Sequence, residues 1–290
     1  MARTVQFWIS RLSPMIALAL LSLPCPAAGP RGDSIALKNG FVFVNVIING
    51  HGPFRMLVDT GTTTSLLAPE AAAKAGLVYD HRVVLTSLGG EKPLPATSSG
   101  ELRIGSAVAN DVEIGVTSIG RVRQIDPGAH GILGQSFLSR SAYLIDYARK
   151  QLWLGEDAVQ RAVELPFALS AQQANGRTIL PVTLQTGGPS WRLTLDSGAS
   201  NLILKCNTRC PLIADPRSGD QVLALVGQRP AQSGIIRQVS IAGARMSFVH
   251  ALLVDTQLPD GQDDGVLPSQ WFSAVYVDGT SGLVRLAQRR

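Results

Sequence analysis

The amino-acid sequence predicts an all-β protein built as two similar lobes, and three observations carry that expectation. Short stretches rich in β-branched and aromatic residues recur along the chain, broken by Asn-Gly, Gly-Gly and Gly-Pro turns, while one short run alone has a helical pattern. An apolar strand ending on an acid, Phe54-Arg55-Met56-Leu57-Val58-Asp59-Thr60-Gly61-Thr62, returns 137 residues later as Trp191-Arg192-Leu193-Thr194-Leu195-Asp196-Ser197-Gly198-Ala199. Each acid is then followed at similar distance by an apolar pair and one further residue: Gly134 closes Ile132-Leu133 75 residues after Asp59, and Pro268 closes Val266-Leu267 72 residues after Asp196. Internal duplication accounts for this order, with a period far too long for a solenoid.

In chain order, Arg3 and Arg11 precede the apolar run Met15 to Leu23, and the small residues Pro26-Ala27-Ala28 follow. That layout predicts a secretory signal peptide over residues 1–28, cut after Ala27 or Ala28. It is too short for a membrane span, and no later segment reaches the ~20 apolar residues a span needs. Lipid attachment at Cys25 is opposed by Pro24 just before it. The first lobe is expected over residues 29–156. Ser34 to Ile48 alternates as a strand, Asn49-Gly50-His51-Gly52-Pro53 turns it, and the Asp59 strand follows. Pro69 opens the helical pattern, which Gly76 closes. Strands resume at Val83 to Leu88, turn at Gly89-Gly90, and continue near Glu101–Ile104 and Val112–Val116. A polar loop, Gln124 to His130, leads to Gly131-Ile132-Leu133-Gly134, and a hairpin around Ala148-Arg149-Lys150 ends the lobe.

The second lobe, residues 157–290, repeats the plan after a junction near Glu156 to Glu164. Thr178–Gln185, the Asp196 strand, Val222 to Val226, Ile235–Ile241 and Ala251–Val254 read as strands, with a closing hairpin at Tyr276-Val277-Asp278 and Leu283 to Leu286. Tyr143, Trp153, Trp271 and Tyr276 are expected to pack in the core or between lobes.

Composition narrows the function. Of 290 residues 45% are apolar and 16% charged, which suits a folded chain. Losing the two arginines of the leader lowers the formal charge from +5 to +3, with no basic run, so nucleic acid is not an expected partner. Cys206 and Cys210 suit a short-loop disulfide in an exported protein, and a metal site is the weaker alternative. His51, His81, His130 and His250 are scattered, so no metal is expected. Gly134-Gln135-Ser136 lacks the second glycine and strand-turn-helix setting of a serine nucleophile elbow. Asp59 and Asp196 can be read as turn-capping acids, but such caps need no buried apolar strand before them.

The doubled Asp-Thr/Ser-Gly motif, each copy trailed by an apolar pair, resembles the aspartic protease superfamily. Two lobes in one chain resemble the pepsin arrangement, and their shortness resembles retroviral and bacterial retropepsin-like proteases. The resemblance implies an active site between the lobes, with Asp59 and Asp196 as the catalytic dyad. Thr60 and Ser197 would tie the two loops by interlocking hydrogen bonds, and Gly61 and Gly198 would let backbone approach the carboxylates. Thr62 is placed to bond the outer oxygen of Asp59, whereas Ala199 offers Asp196 nothing comparable. The flap is expected over Val83 to Thr97, with Leu88, Gly89 and Gly90 touching substrate and no aromatic lid. Pro268 removes a backbone amide, predicting a weaker brace under the second loop. There is no room for a pepsin-like inhibitory pro-segment. The implied activity is hydrolysis of polypeptides by an exported, monomeric aspartic endopeptidase needing no cofactor. The alternative is a catalytically weak or inactive peptide-binding module of the cell envelope.

Overall fold

The computed structural model describes residues 32–88, 90–174, 176–185, 188–206, 210–255 and 263–289. The signal-peptide region and Cys25 lie outside these residues, as does Gly89. Three sheets organise the described residues, and two of them repeat each other strand for strand. The first eight-stranded sheet runs, edge to edge, Ala36–Lys38, Phe41–Ile48, His51–Val58, Gly131–Leu133, Ser65–Leu67, Ala107–Val116, Gly90–Ile104 and His81–Ser87. The second runs Gln172–Ala174, Arg177–Thr183, Ser190–Asp196, Gly265–Pro268, Leu202–Lys205, Ala244–Val254, Gln228–Ile241 and Ala214–Leu223.

This topology follows from the sequence pattern. In Phe41–Ile48 and His51–Val58 most side chains are buried, including Val42, Val46, Met56 and Val58 at 0% exposure, as expected of strands in the middle of a folded sheet. The Asn49-Gly50 turn between them has positive φ at both residues, 50° and 75°, the left-handed pair that a tight hairpin requires. The strand leading to each acid lies parallel to the later apolar-pair strand: Leu57 faces Ile132 and Val58 faces Leu133, as Leu195 faces Leu267 and Asp196 faces Pro268. The Asp59 N–H donates to the Leu133 carbonyl at 3.0 Å, so the first acid stands where its strand leaves the ladder. The expected helix is present as Pro69–Lys74, with Gly76 at φ 66° ending it.

The third sheet draws on both halves. Its order is Asp33–Ser34, Gln151–Leu154, Tyr143–Asp146, Phe272–Asp278, Leu283–Gln288 and Phe167–Ser170, with the two closing hairpins paired at its centre. Tyr143, Trp153 and Tyr276 are buried there, as expected, and burial pushes the Tyr143 hydroxyl pKa up to about 12. The junction near Glu156 is a helix, Glu156–Ala162, rather than a linker. Ala158 and Ala162 bury its inner face, and Arg161 lies 4.7 Å over the Trp153 ring. A second unforeseen helix, Gly120–Ile125, overlaps the start of the expected polar loop and seats Val122 in the core. Cys206 and Cys210 form a disulfide with Cα atoms 4.8 Å apart. His130 Nδ1 accepts from the Arg55 N–H at 3.1 Å, a structural contact. No helix among the described residues is long and apolar enough to cross a membrane.

Candidate active site

The two acid-bearing loops meet through their hydroxyl residues. The Thr60 N–H donates to Ser197 Oγ at 3.1 Å, and the Ser197 N–H donates to Thr60 Oγ1 at 3.0 Å. Each hydroxyl then donates across the boundary: Thr60 Oγ1 to the Leu195 carbonyl at 2.8 Å, and Ser197 Oγ to the Val58 carbonyl at 2.6 Å. Four hydrogen bonds thus cross between lobes in a region where Thr60 and Ser197 are 2% and 0% exposed. Away from water such bonds have few competitors, and losing one partner leaves the other unsatisfied.

That lattice sets Asp59 and Asp196 side by side, within hydrogen-bonding reach of each other. The approach requires glycine at the third position of each triplet. A Cβ on Gly61 would stand 2.5 Å from Asp196 Oδ2, and one on Gly198 would stand 2.7 Å from Asp59 Cγ. Each loop's glycine therefore makes room for the other lobe's carboxylate.

The environments of the two acids differ. Asp59 Oδ1 accepts from the N–H groups of Gly61 and Thr62 at 3.0 and 3.1 Å, and its Oδ2 accepts from Thr62 Oγ1 at 2.8 Å. Asp196 Oδ1 accepts from the Gly198 N–H at 2.6 Å, and Ala199 has no hydroxyl to add. Burial raises the pKa of both. For Asp59 the hydrogen bonds from Thr62, the backbone and a protonated Asp196 pull back down. For Asp196 the neighbouring Asp59 charge pushes further up, so it stands well above the ordinary aspartate value. The arrangement places the charge on Asp59 and the shared proton on Asp196. Raised carboxyl pKa values favour folding only at pH below them, and that contribution is lost as pH rises through them. At neutral pH the pair costs stability.

Beneath the first loop, Gln135 Nε2 donates to the Thr60 carbonyl at 2.8 Å, and the Gly134 N–H donates to Ser65 Oγ at 3.1 Å. Contrary to expectation Ser136 does sit in a strand-turn-helix setting, strand Gly131–Leu133 then helix Gln135–Leu138, but its Oγ bonds Ser65 and the Glu113 carbonyl, so this serine is a brace. Pro268 lacks the amide that Gly134 uses, yet the residue matching Ser65 is Leu202, fully buried and without an acceptor. Donor and acceptor are absent together, so the proline leaves no polar group stranded.

Above the dyad lies a cleft of about 740 Å³. The flap expected over Val83 to Thr97 lies within the hairpin of His81–Ser87 and Gly90–Ile104, which brings Val84, Thr86, Ser87 and Leu88 to the cleft, while Gly90 is not among its lining residues. A second flap, unassigned from sequence, is the hairpin of Ala214–Leu223 and Gln228–Ile241, which brings Val222, Leu223, Ala224 and Leu225. The tips meet: Ser87 Oγ donates to the Val226 carbonyl at 3.0 Å, and Arg229 Nε donates to the Leu88 carbonyl at 3.2 Å. The duplication was the signal for it, since the second lobe's counterpart of the first flap falls at this hairpin. Among the described residues no group of three or more His, Cys, Asp or Glu is placed to hold a metal.

The fold is that of the two-lobed aspartic proteinases. Residues 44–137 match the family model described as aspartyl protease. The crystal structure of aspartic proteinase from Irpex lacteus superposes with a TM-score of 0.51 over 89% of this chain and 96% of that one, at 12% identity. A search of curated proteins gives no match. The family match lies within the first lobe, the structural likeness covers both lobes, and together they support a protease-like role.

Replacing Ser197 by alanine removes one donor and one acceptor from the lattice and strands the Thr60 N–H and the Val58 carbonyl. Denaturant unfolding should show a loss of about 2–4 kcal/mol, whereas Ser200→Ala, at an exposed position, should change stability by less than about 0.5 kcal/mol. Equal effects would contradict the lattice's structural role.

Proposed function

We propose that the protein is an exported aspartic endopeptidase that hydrolyses extended polypeptide held between its lobes. The observation that carries this reading is the asymmetric, proton-sharing pair of carboxylates, Asp59 buried and Asp196 half-buried, at the floor of a cleft roofed by two hairpins. Such a pair supplies general base and general acid together. Charged Asp59 takes a proton from a water as its oxygen attacks the scissile carbonyl carbon. Asp196 gives its proton to the carbonyl oxygen, producing a neutral gem-diol. Asp59 then gives its proton to the amide nitrogen while Asp196 takes one from a gem-diol hydroxyl, which breaks the C–N bond, releases a carboxylic acid and an amine, and restores the pair. Strand edges beside the cleft suit backbone pairing with an extended substrate. Export is supported by the pattern of residues 1–28 and agrees with the Cys206–Cys210 disulfide.

The test is digestion of an unfolded protein mixture between about pH 3 and 8, with and without a peptide inhibitor that mimics the tetrahedral intermediate. Inhibitor-sensitive cleavage is expected, and cleavage that the inhibitor does not touch would overturn the reading. Asp59→Asn and Asp196→Asn should each abolish hydrolysis, and the double variant should be no worse than either, because the two acids act as one unit. Most activity surviving in either single variant contradicts that assignment.

Thr62 stabilises the charged form of Asp59, so Thr62→Ala should raise the lower apparent pKa of the pair. The acid limb of kcat/KM then moves to higher pH, by less than about one unit for the loss of a single neutral hydrogen bond. An unmoved limb, or a shift to lower pH, would show that Thr62 does not bias the pair.

A further inference from the structure

Away from the cleft, the first lobe carries a second cavity of about 360 Å³, at the start of the strand that ends beside Asp59. It is lined by His51, Gly52, Pro53, Phe54, Lys74 and His130, none of which lines the cleft. The lining holds two imidazoles and an ammonium but no carboxylate. The acids on the adjoining segments are engaged by arginines: Asp126 pairs with Arg55 at 2.5 Å, and Glu70 pairs with Arg123.

The duplication separates what the fold needs here from what has been added. Met56 pairs with Gly131 as Leu193 pairs with Gly265, so Arg55 and His130 correspond to Arg192 and Asp264. The brace between them is the same in both lobes. The His130 N–H donates to the Arg55 carbonyl at 2.8 Å, and the Arg55 N–H donates to His130 Nδ1 at 3.1 Å. The Asp264 N–H donates to the Arg192 carbonyl at 2.7 Å, and the Arg192 N–H donates to Asp264 Oδ2 at 2.9 Å. One acceptor atom meets the structural requirement, and in the second lobe a carboxylate supplies it. Histidine adds a second nitrogen to that requirement. With Nδ1 accepting, the neutral ring carries its proton on Nε2, a donor on the edge away from the brace. The Phe54 ring, 5.8 Å away and inclined at 74°, packs edge to face against this imidazole.

Cationic groups gathered without a counter-charge repel one another and attract an anion. Burial first, and then the Lys74 and Arg123 charges, hold the His130 pKa below the ordinary histidine value, with Glu70 opposing them. We propose that this cavity is an oxyanion site, in which His51, His130 and Lys74 donate hydrogen bonds to the oxygens of a phosphate or phosphate-ester group. A metal ion is disfavoured there, because the Lys74 charge would repel it. The site is independent of the endopeptidase reading, since the two share no residue.

The experiment follows the His51 and His130 ring signals by NMR while inorganic phosphate is added at constant ionic strength, with chloride as the control. Phosphate should shift both signals saturably and raise the His130 pKa, because a bound anion favours the imidazolium form. Lys74→Gln, at an exposed position, should weaken phosphate binding by about tenfold, the scale of one charge-assisted hydrogen bond. His130→Asn keeps an acceptor oxygen for the Arg55 N–H, so it should weaken binding similarly with little change in stability. Glycerol 3-phosphate and phosphatidylglycerol vesicles, each competed against phosphate, separate a soluble ester from a lipid headgroup as the source. Displacement by either supports the site, and displacement by neither marks inorganic phosphate itself as the guest. Shifts that chloride reproduces, or phosphate binding that both variants leave unchanged, overturn the proposal. So does zinc moving both rings where phosphate moves neither.

Discussion

The structure depends on one interaction, the reciprocal hydroxyl–backbone lattice of Thr60 and Ser197. Every bond in it joins one lobe to the other, so the lattice holds two carboxylates closer together than either would choose. Their proximity is what the proposed chemistry uses. Two charges in a dehydrated space repel, one retains its proton, and a single acid–base pair results. The glycines on either side follow from the same constraint, since Gly61 lies against Asp196 and Gly198 against Asp59. The six-stranded sheet supports the lattice from below by pairing the two closing hairpins.

The lobes are duplicates in topology but not in chemistry, and their differences concentrate around the dyad. Thr62 opposes Ala199 and biases the shared proton. Gly134 opposes Pro268, with Ser65 changed to Leu202 in concert, so a polar brace is exchanged for an apolar one without stranding a group. Two-fold symmetry positions the acids, and departures from it give them direction.

Much of this was legible in the sequence because duplicated short motifs carry local chemistry. The acid-ended strands, the Asn49-Gly50 hairpin, the Pro69 helix start and the contrast of Thr62 with Ala199 are all readable within a few residues. The unforeseen features depend on distant partners. Helix Gly120–Ile125 opens with glycine and contains β-branched valine, so its formation rests on the burial of Val122 rather than on propensity. Helix Glu156–Ala162 does carry a local signal, with acids in the first turn, Arg161 in the last and alanines four apart, but at seven residues it is short enough to pass for a junction. His51, Lys74 and His130 are far apart in the sequence and gather round one cavity only when the first lobe is folded. The second flap was likewise hidden in a polar stretch, Ala214–Leu223, whose mostly exposed side chains show no buried face.

The central claim is that Asp59 and Asp196 hold one proton between them, with the charge on Asp59. It is tested most directly by carbon-13 NMR of aspartate Cγ across a pH titration, with Asp59→Asn and Asp196→Asn proteins assigning the two signals. The account predicts two coupled steps, with Asp196 still protonated well above the ordinary aspartate pKa of about 3.9 and Asp59 ionising first. Two independent titrations near that ordinary value, or a pair in which Asp196 ionises before Asp59, would contradict it.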